Sequence, residues 1–418
     1  MFRKVVLASA IALAAAPAQA KLFDVTLSWN NNGTLITENF SFNDAEEAID
    51  VVDIDFIIDK WGQQYGFNEN SDTAVADIKF RGVKMELTYE PDGNGGNRIL
   101  LDIPELGISE SFTDDPFGDE ALDKLKDYLV EKGENEILTR INKAAAASTS
   151  FDPVAGNPSS LMSTMVDNIY FLTNSSITGT DRQNIDNQWD IGLRQSSYTT
   201  LDNQDVVNYQ LPLAYTFKLD WFPGHRLQFR LPMSYTTINE DAKSYSLQLG
   251  FGWTIPLIEG LEITPAIDYG VAGSAEILSV GVLRALSLTT RYDFSLFGQE
   301  FTLSNSMAKI DSERLEYEDD DDVDPVTYAI DYDLSNKAMT NGLAWHIALP
   351  WKLATQVFVR DTRYSGDALY SEQVREYGVN FGWSAWASTN TQFFVGASYQ
   401  SHDKEEFDGA RMNVGLTF

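Results

Sequence analysis

The second half of the chain alternates between apolar and polar residues with a period of two. The first alternating segment begins at Gln188, and its apolar and polar rows are Trp189, Ile191 and Leu193 against Asp190, Gly192 and Arg194. Period-two alternation predicts β-strands with one apolar face and one polar face. The same alternation recurs at 207–219, 227–235, 245–257, 261–271, 278–294, 300–310, 339–349, 353–361, 374–386, 391–400 and 410–418.

These segments are near the roughly 9–11 residues that a tilted strand needs to cross a bilayer. Their connections alternate between short turns and longer polar loops, such as 259–260 against 311–337. Short turns on one side and long loops on the other are typical of bacterial outer-membrane barrels. The pattern predicts an all-β membrane barrel of about 12 antiparallel transmembrane strands at 187–418. Alternation alone would also permit a soluble β-sandwich or a periplasmic barrel.

The region before the barrel has mixed periodicity and predicts a small acidic α+β domain at 21–147. Asn30 and Gly33 favour a turn between two strands, and a Gly/Asn-rich turn at 91–97 separates two more. Amphipathic stripes predict helices on both sides of the second strand pair. The predicted strands are 21–29, 34–42, 76–89 and 98–108, and the predicted helices are 44–62 and one that starts at 119, breaks near 133 and resumes over 137–147.

A Gly-, Pro- and Ser-containing linker is expected at 148–160, within a connecting region that extends to residue 186. Ser160 is placed to cap a short helix at 161–172. Its apolar residues Met162, Met165, Val166, Ile169 and Phe171 need a partner surface. Two placements are open: the helix sits inside or across the barrel and restricts the lumen, or it completes the core of the N-terminal domain.

Both ends of the sequence predict export to the outer membrane. Residues 1–20 combine Arg3 and Lys4, an apolar run and a small-residue site at Ala18-Gln19-Ala20, the pattern of a signal peptide. The last alternating segment ends on the aromatic Phe418.

Twelve C-terminal strands, a terminal Phe418 and a short helix leading into the first strand resemble the autotransporter β-domain over residues 160–418. The resemblance implies a helix inside a twelve-stranded barrel, and it implies that Phe418 is an assembly signal read by the barrel-assembly machinery. The sequence departs from the family at 21–159, which is too short and too helical for the usual long β-helical passenger. The chain therefore resembles a solitary autotransporter-type barrel that carries a small extra domain.

Composition and charge exclude several other functions. The net charge of −32 argues against nucleic acid as a partner, since phosphates require Lys and Arg. The absence of cysteine excludes disulfides and thiolate metal sites. Three widely separated histidines offer no triad or metal cluster, and the acidic run at 319–322 lacks the glycine and glutamate of a calcium loop. No cofactor, metal or catalytic residue is predicted.

The polar row of the predicted barrel carries charges of both signs. Such side chains usually pair with one another inside a small barrel, although they can also set the selectivity of a pore. The candidate lumen-lining residues are Arg194, Lys218, Arg230, Glu262, Asp268, Arg291, Asp293, Arg360, Glu376 and Arg411.

The sequence therefore predicts a non-enzymatic barrel in the cell outer membrane, with lipid and lipopolysaccharide as its surroundings. Its N-terminal domain is expected to be displayed, periplasmic or a plug. Two other functions stay open: a passive, porin-like channel for small solutes and an outer-membrane hydrolase.

Overall fold

A computed structural model describes residues 22–31, 33–52, 54–68, 71–94, 96–114, 121–130, 137–174, 187–200, 204–319, 326–384, 391–404 and 407–418. The predicted signal peptide and much of the acidic run at 319–324 lie outside these residues. No helix among the described residues is long and apolar enough to cross a membrane.

The N-terminal domain contains an antiparallel sheet of six strands in the order β2-β1-β3-β4-β5-β6. In its core, Trp29 stacks on Trp61 and Phe67 meets both rings edge-on, with ring centroids 5.2–6.2 Å apart. The strands are β1 (Phe23–Asn31), β2 (Thr34–Phe42), β3 (Ala74–Phe80), β4 (Val83–Pro91), β5 (Asn97–Ile103) and β6 (Ile108–Thr113).

Two of the strands predicted in this domain are wrong in extent. The segment 76–89 is a hairpin, because Arg81 and Gly82 both adopt positive φ and reverse the chain between β3 and β4. The segment 98–108 likewise breaks at Gly107, beyond which β6 forms the edge of the sheet. The apolar positions change phase at both places, from 76, 78 and 80 to 83, 85, 87 and 89, and from 99, 101 and 103 to 106 and 108, so the sequence does carry a signal of each turn.

The predicted helix at 44–62 is present but interrupted. It comprises helical segments Ala45–Val52 and Ile54–Ile57, a π-helical turn Ile58–Gly62 and a last turn Gln63–Tyr65. The π turn buries Trp61 completely, and its indole Nε1 donates to Glu38 at 3.0 Å. The later helices are Ala121–Val130, Ile137–Ser148 and Leu161–Thr173.

The remaining strands form one closed antiparallel barrel. Two of its twelve transmembrane strands are each interrupted once. Pro212 separates β8 from β9 in one of them, and Leu231 and Pro232 separate β10 from β11 in the other. The strands are β7 (Gln188–Thr199), β8 (Asp205–Leu211), β9 (Leu213–Lys218), β10 (Arg226–Arg230), β11 (Met233–Ile238), β12 (Ala242–Ile258), β13 (Leu261–Ser274), β14 (Ser279–Leu296), β15 (Gln299–Glu313), β18 (Ser335–Leu349), β19 (Leu353–Gly366), β20 (Gln373–Ser384), β21 (Gln392–His402) and β22 (Gly409–Thr417), while β16 (Leu315–Asp319) and β17 (Val326–Ile330) form a hairpin in the longest loop.

The barrel closes where its last strand pairs with its first. β22 runs antiparallel to β7 from Thr417 opposite Asp190 to Ala410 opposite Ser197. Trp189 and Phe418 add two backbone hydrogen bonds beyond this register, of 2.8 and 3.0 Å. Closure satisfies backbone groups that an open edge would leave without partners in lipid.

The alternation places apolar residues outside and polar residues inside, as predicted. In β7, Trp189 and Leu193 are exposed on the outer face while Arg194 is 3% exposed on the inner one. Aromatic side chains on the outer face gather towards both ends, which is typical of membrane interfaces. One group includes Trp189, Trp253, Trp345 and Trp383, and the other includes Tyr209, Tyr235, Tyr245, Tyr269 and Tyr399.

We expect Phe251→Arg to destabilise the barrel because Phe251 lies midway along β12 on the outer face. A charge on the lipid face at this depth costs roughly 2–4 kcal/mol. The matched control is Phe297→Arg in the turn between β14 and β15, where Phe297 is 94% exposed. Urea unfolding in liposomes measures both variants, and equal losses of stability would contradict the assignment of the lipid face.

Candidate functional site

A helix occupies the barrel lumen. This luminal helix, Leu161–Thr173, begins at the end of the barrel opposite Phe418, which we call the mouth, and continues towards the other end. Ser160 caps it as predicted, since its hydroxyl accepts from the backbone N–H of Ser163 at 3.4 Å. Near the other end, Gln228 of β10 donates to the carbonyl of Leu172 at 3.0 Å. Of the two placements left open by the sequence, the structure has the luminal one.

One side of the luminal helix is apolar and packs on an apolar part of the barrel wall. Met165 and its neighbours contact a surface formed by the adjacent wall strands β13, β14, β15 and β18, on which Leu283 and Ile310 point inward. The burial of both groups of side chains favours this position. The helix contributes Leu161, Met162, Met165, Val166 and Ile169, and the wall contributes Ala272, Leu283, Ala285, Ala308, Ile310 and Ala338.

Glycines in the wall leave room for the helix. A Cβ added at Gly270 would lie 2.7 Å from Leu161 Cδ1 and 3.1 Å from Met165 Sδ. A Cβ at Gly342 would clash with the Tyr170 hydroxyl. Larger residues at these two places would therefore push the helix away from the wall.

The other side of the luminal helix is polar and faces charged wall residues. Asp167 pairs with Arg360 of β19 and Arg411 of β22, each at 2.6 Å. Glu376 of β20 pairs with both arginines as well, and Ser398 donates to it at 2.5 Å. Asp167 thus connects the helix to the wall through two ion pairs in a largely water-excluded setting.

Asn168 extends the polar contact to β7 and β12. Its side-chain amide donates to Gln248 at 3.2 Å and accepts from Arg194 at 3.4 Å. Gln248 in turn donates to Thr164 at 3.1 Å, so one wall residue holds two successive turns of the helix. The guanidinium of Arg194 also stacks over Phe171, with its central carbon 3.6 Å from the ring centroid.

Eight of the ten predicted lumen residues are buried inside the barrel, and they fall into groups. Arg194, Arg360, Glu376 and Arg411 surround the luminal helix. The other four buried residues belong to ion pairs within the wall, either between strands or along one strand, and Lys218 and Asp293 are only partly buried near the end that carries Phe418. The wall pairs are Arg226–Glu262 at 2.7 Å, Arg230–Asp268 at 2.8 Å and Arg291–Asp293 at 3.0 Å.

A second polar network lies where the N-terminal domain meets the mouth. Arg81, from the turn between β3 and β4, forms a fully buried ion pair with Asp152. It also donates to Asn142 at 2.6 Å and to the hydroxyl of Tyr332 at 2.8 Å. Burial alone would lower the pKa of Arg81, but attraction by Tyr332 and Asp152 outweighs it and raises the pKa.

The segment predicted as a linker is part of this network and is almost entirely buried. Asp152 accepts backbone N–H groups of Val154 and Ala155 at 2.8 and 3.1 Å, which fixes a tight turn. Gly156 accepts from Ser371 in a barrel loop at 3.0 Å. Residues 149–160 therefore fill the mouth instead of spanning solvent, and their Gly and Pro content reflects turns in a packed segment.

Further contacts seal the domain onto the barrel. Tyr198, Ile277 and Phe407 at the mouth belong to the same buried apolar cluster as the domain core. At the edge of the interface, Lys143 pairs with Asp333 and Asp367, each at 3.0 Å. Burial opposes the charge on Lys143, but these two carboxylates raise its pKa.

Sequence reasoning did not identify Asp152, Asp167, Tyr332 or Arg81 as members of a site. Asp167 was detectable, because it is the one charged residue of the helix at 161–173, which precedes a barrel rich in luminal arginine. Arg81 and Tyr332 carry no such signal, since their partners are distant in sequence. Among the described residues, no group of three or more His, Asp or Glu side chains is arranged to hold a metal ion.

The fold is similar to that of several solved barrels. The translocator domain of the autotransporter NalP from Neisseria meningitidis shares 11% identity, with a TM-score of 0.45 over 62% of this chain and 95% of that one. The β-domain of the Bordetella autotransporter BrkA shares 13%, with a TM-score of 0.39 over 56% and 99%. The KdgM porin shares 9%, with a TM-score of 0.32 over 55% and 98%.

No protein-family model and no curated protein matches the sequence. The architecture is nevertheless defined by the structure itself. Twelve strands with an apolar exterior close around a polar lumen, and a helix in that lumen leads to a domain at the mouth. The chain has the architecture of a membrane-spanning β-barrel with a helix inside its lumen.

Proposed function

We propose that this protein is a non-enzymatic surface anchor that keeps its own N-terminal domain folded on the outside of the cell. The observation that carries the proposal is the path of the chain. The domain lies at the mouth, the luminal helix enters the lumen from there, and β7 begins at the opposite end. With Phe418 at the periplasmic end, as expected for such barrels, the mouth and the domain face outward.

The contacts at the mouth favour a domain that is retained instead of released. Arg81, Asp152 and Tyr332 connect the domain, the buried segment and a barrel loop through charged or polar groups without water access. Separating the domain from the barrel would break the buried Arg81–Asp152 ion pair, and each charge would then lack a partner unless water reached it. The domain therefore acts as a fixed cap whose outer surface is available to partners outside the cell.

The luminal helix also argues against the porin-like alternative. Its apolar side fills the region next to β13, β14, β15 and β18, and Asp167 binds the arginines on the other side. Solute would have to displace both contacts to pass. We therefore propose a barrel whose lumen is closed in the resting state.

Display is tested with an epitope tag inserted at Gly93, in the exposed turn between β4 and β5. We expect the tag to be labelled by antibody on intact cells and to stay with the cell fraction. A tag in the turn at Gly298, at the opposite end of the barrel, is the matched control and should be labelled only after the outer membrane is permeabilised. The opposite labelling pattern would place the domain in the periplasm.

We expect Arg81→Met to undock the domain, because it leaves Asp152 buried without its cation. Breaking a buried pair in this way costs about 3–5 kcal/mol. The control Lys143→Met removes two more exposed ion pairs, each worth about 0–1 kcal/mol. Limited proteolysis of the purified protein should cut 149–160 much faster in Arg81→Met than in the control, and equal rates would contradict the retained-cap proposal.

Charge reversal at Asp167 tests the closed lumen. Asp167→Lys would place a cation beside Arg360 and Arg411, and the repulsion between like charges should displace the helix from its position in the lumen. We expect the single-channel conductance in planar bilayers to rise severalfold over the wild type, while Asp167→Asn, which keeps the shape, should have a smaller effect. A wild type that already conducts as an open pore would favour the porin-like alternative.

A further inference from the structure

A cavity remains in the lumen beside the C-terminal half of the luminal helix. Its volume is about 70 Å³, whereas a single water needs only roughly 10–15 Å³ by the same measure. The cavity therefore has room for several waters or for a small ion. Its charged lining consists of Arg194, Arg291, Arg360, Arg411 and Glu376.

The charges around this cavity do not balance. Asp167 and Glu376 together neutralise Arg360 and Arg411, because each carboxylate lies within 4 Å of both guanidiniums. Arg291 is matched separately by Asp293. Among the described residues around the cavity, Arg194 is left as a surplus cation, and it is 3% exposed.

Among the described residues, the groups that stack on or hydrogen-bond to the guanidinium of Arg194 are neutral. Phe171 stacks on one face of the guanidinium, and Nη1 has two long hydrogen bonds of 3.4 Å, to Asn168 and Gln210. Within the described part of the chain, its buried Nη2 has no hydrogen-bond partner. A buried cation with a free donor beside a cavity is costly unless an anion occupies that cavity.

We propose that the cavity binds one small, singly charged oxyanion, such as a carboxylate, on the guanidinium of Arg194. The planar guanidinium presents parallel N–H donors that match the two oxygens of a carboxylate. A single negative charge restores neutrality. Asn380 and Asn413 line the same cavity, with their amide nitrogens donating to Gln356 and Asn380.

This site is independent of whether the domain is displayed or retained, because it depends only on a folded barrel with its helix seated. A carboxylate bound there would contact both the helix residue Phe171 and the wall residue Arg194. It would therefore stabilise the closed lumen. A divalent anion would overcompensate the charge and should bind less well at equal concentration.

The test is titration calorimetry of the purified full-length protein in detergent with sodium acetate, at ionic strength held constant with sodium chloride. We expect saturable 1:1 binding for the wild type and at least tenfold weaker binding for Arg194→Gln. The matched control is Arg284→Gln on the outer face, where Arg284 pairs with Asp311 and Glu313. This control should bind acetate as the wild type does.

Arg194→Lys provides a second variant if Arg194→Gln does not assemble, which heat-modifiable migration on gels reveals. Lysine keeps the charge but loses the planar fork, so we expect acetate affinity to fall severalfold without being abolished. Three results would overturn the proposal: no saturable binding by the wild type, affinities within twofold of wild type for the Arg194 variant that assembles, or equal losses in Arg284→Gln.

Discussion

Hydrogen bonding between the first and last strands of the barrel is the interaction on which the rest of the structure depends. Lipid offers no hydrogen bonds to the backbone, so a spanning sheet must close. β22 closes it against β7, and Trp189 and Phe418 complete the register at one end. Closure creates an enclosed lumen, and every polar side chain that points into it then needs a partner within the protein.

The luminal helix supplies many of those partners. Asp167 provides the second carboxylate that two wall arginines require, and Asn168 and Thr164 bond to Gln248. On the other side, inward-facing Leu283 and Ile310 give the helix an apolar seat. The helix and wall are therefore complementary in both charge and polarity, and the same chain segment leads directly to the buried network of Arg81 at the mouth.

The barrel could be predicted from sequence because period-two alternation directly reflects lipid on one side and polar lumen on the other. The predicted phase places Arg194, Arg360 and Arg411 on the inside, where the structure has them. The turn at Arg81 and Gly82 was missed although the apolar positions change phase there, and the packing of 149–160 was missed because it depends on contacts between distant residues. Asp152 and Tyr332, for example, are 180 positions apart. Local composition indicates a linker there, but tertiary contacts determine that it is buried.

The seating of the helix in the lumen is the central claim, and a cross-link between helix and wall tests it most directly. The chain contains no cysteine, so Asn168→Cys with Gln248→Cys gives a background-free pair. The side chains of Asn168 on the helix and Gln248 on the wall are hydrogen-bonded at 3.2 Å, so the two thiols would be within reach of a short thiol-specific cross-linker. Our account predicts an intramolecular cross-link in intact cells that is absent from either single variant. Free thiols in an assembled, heat-modifiable barrel would contradict it.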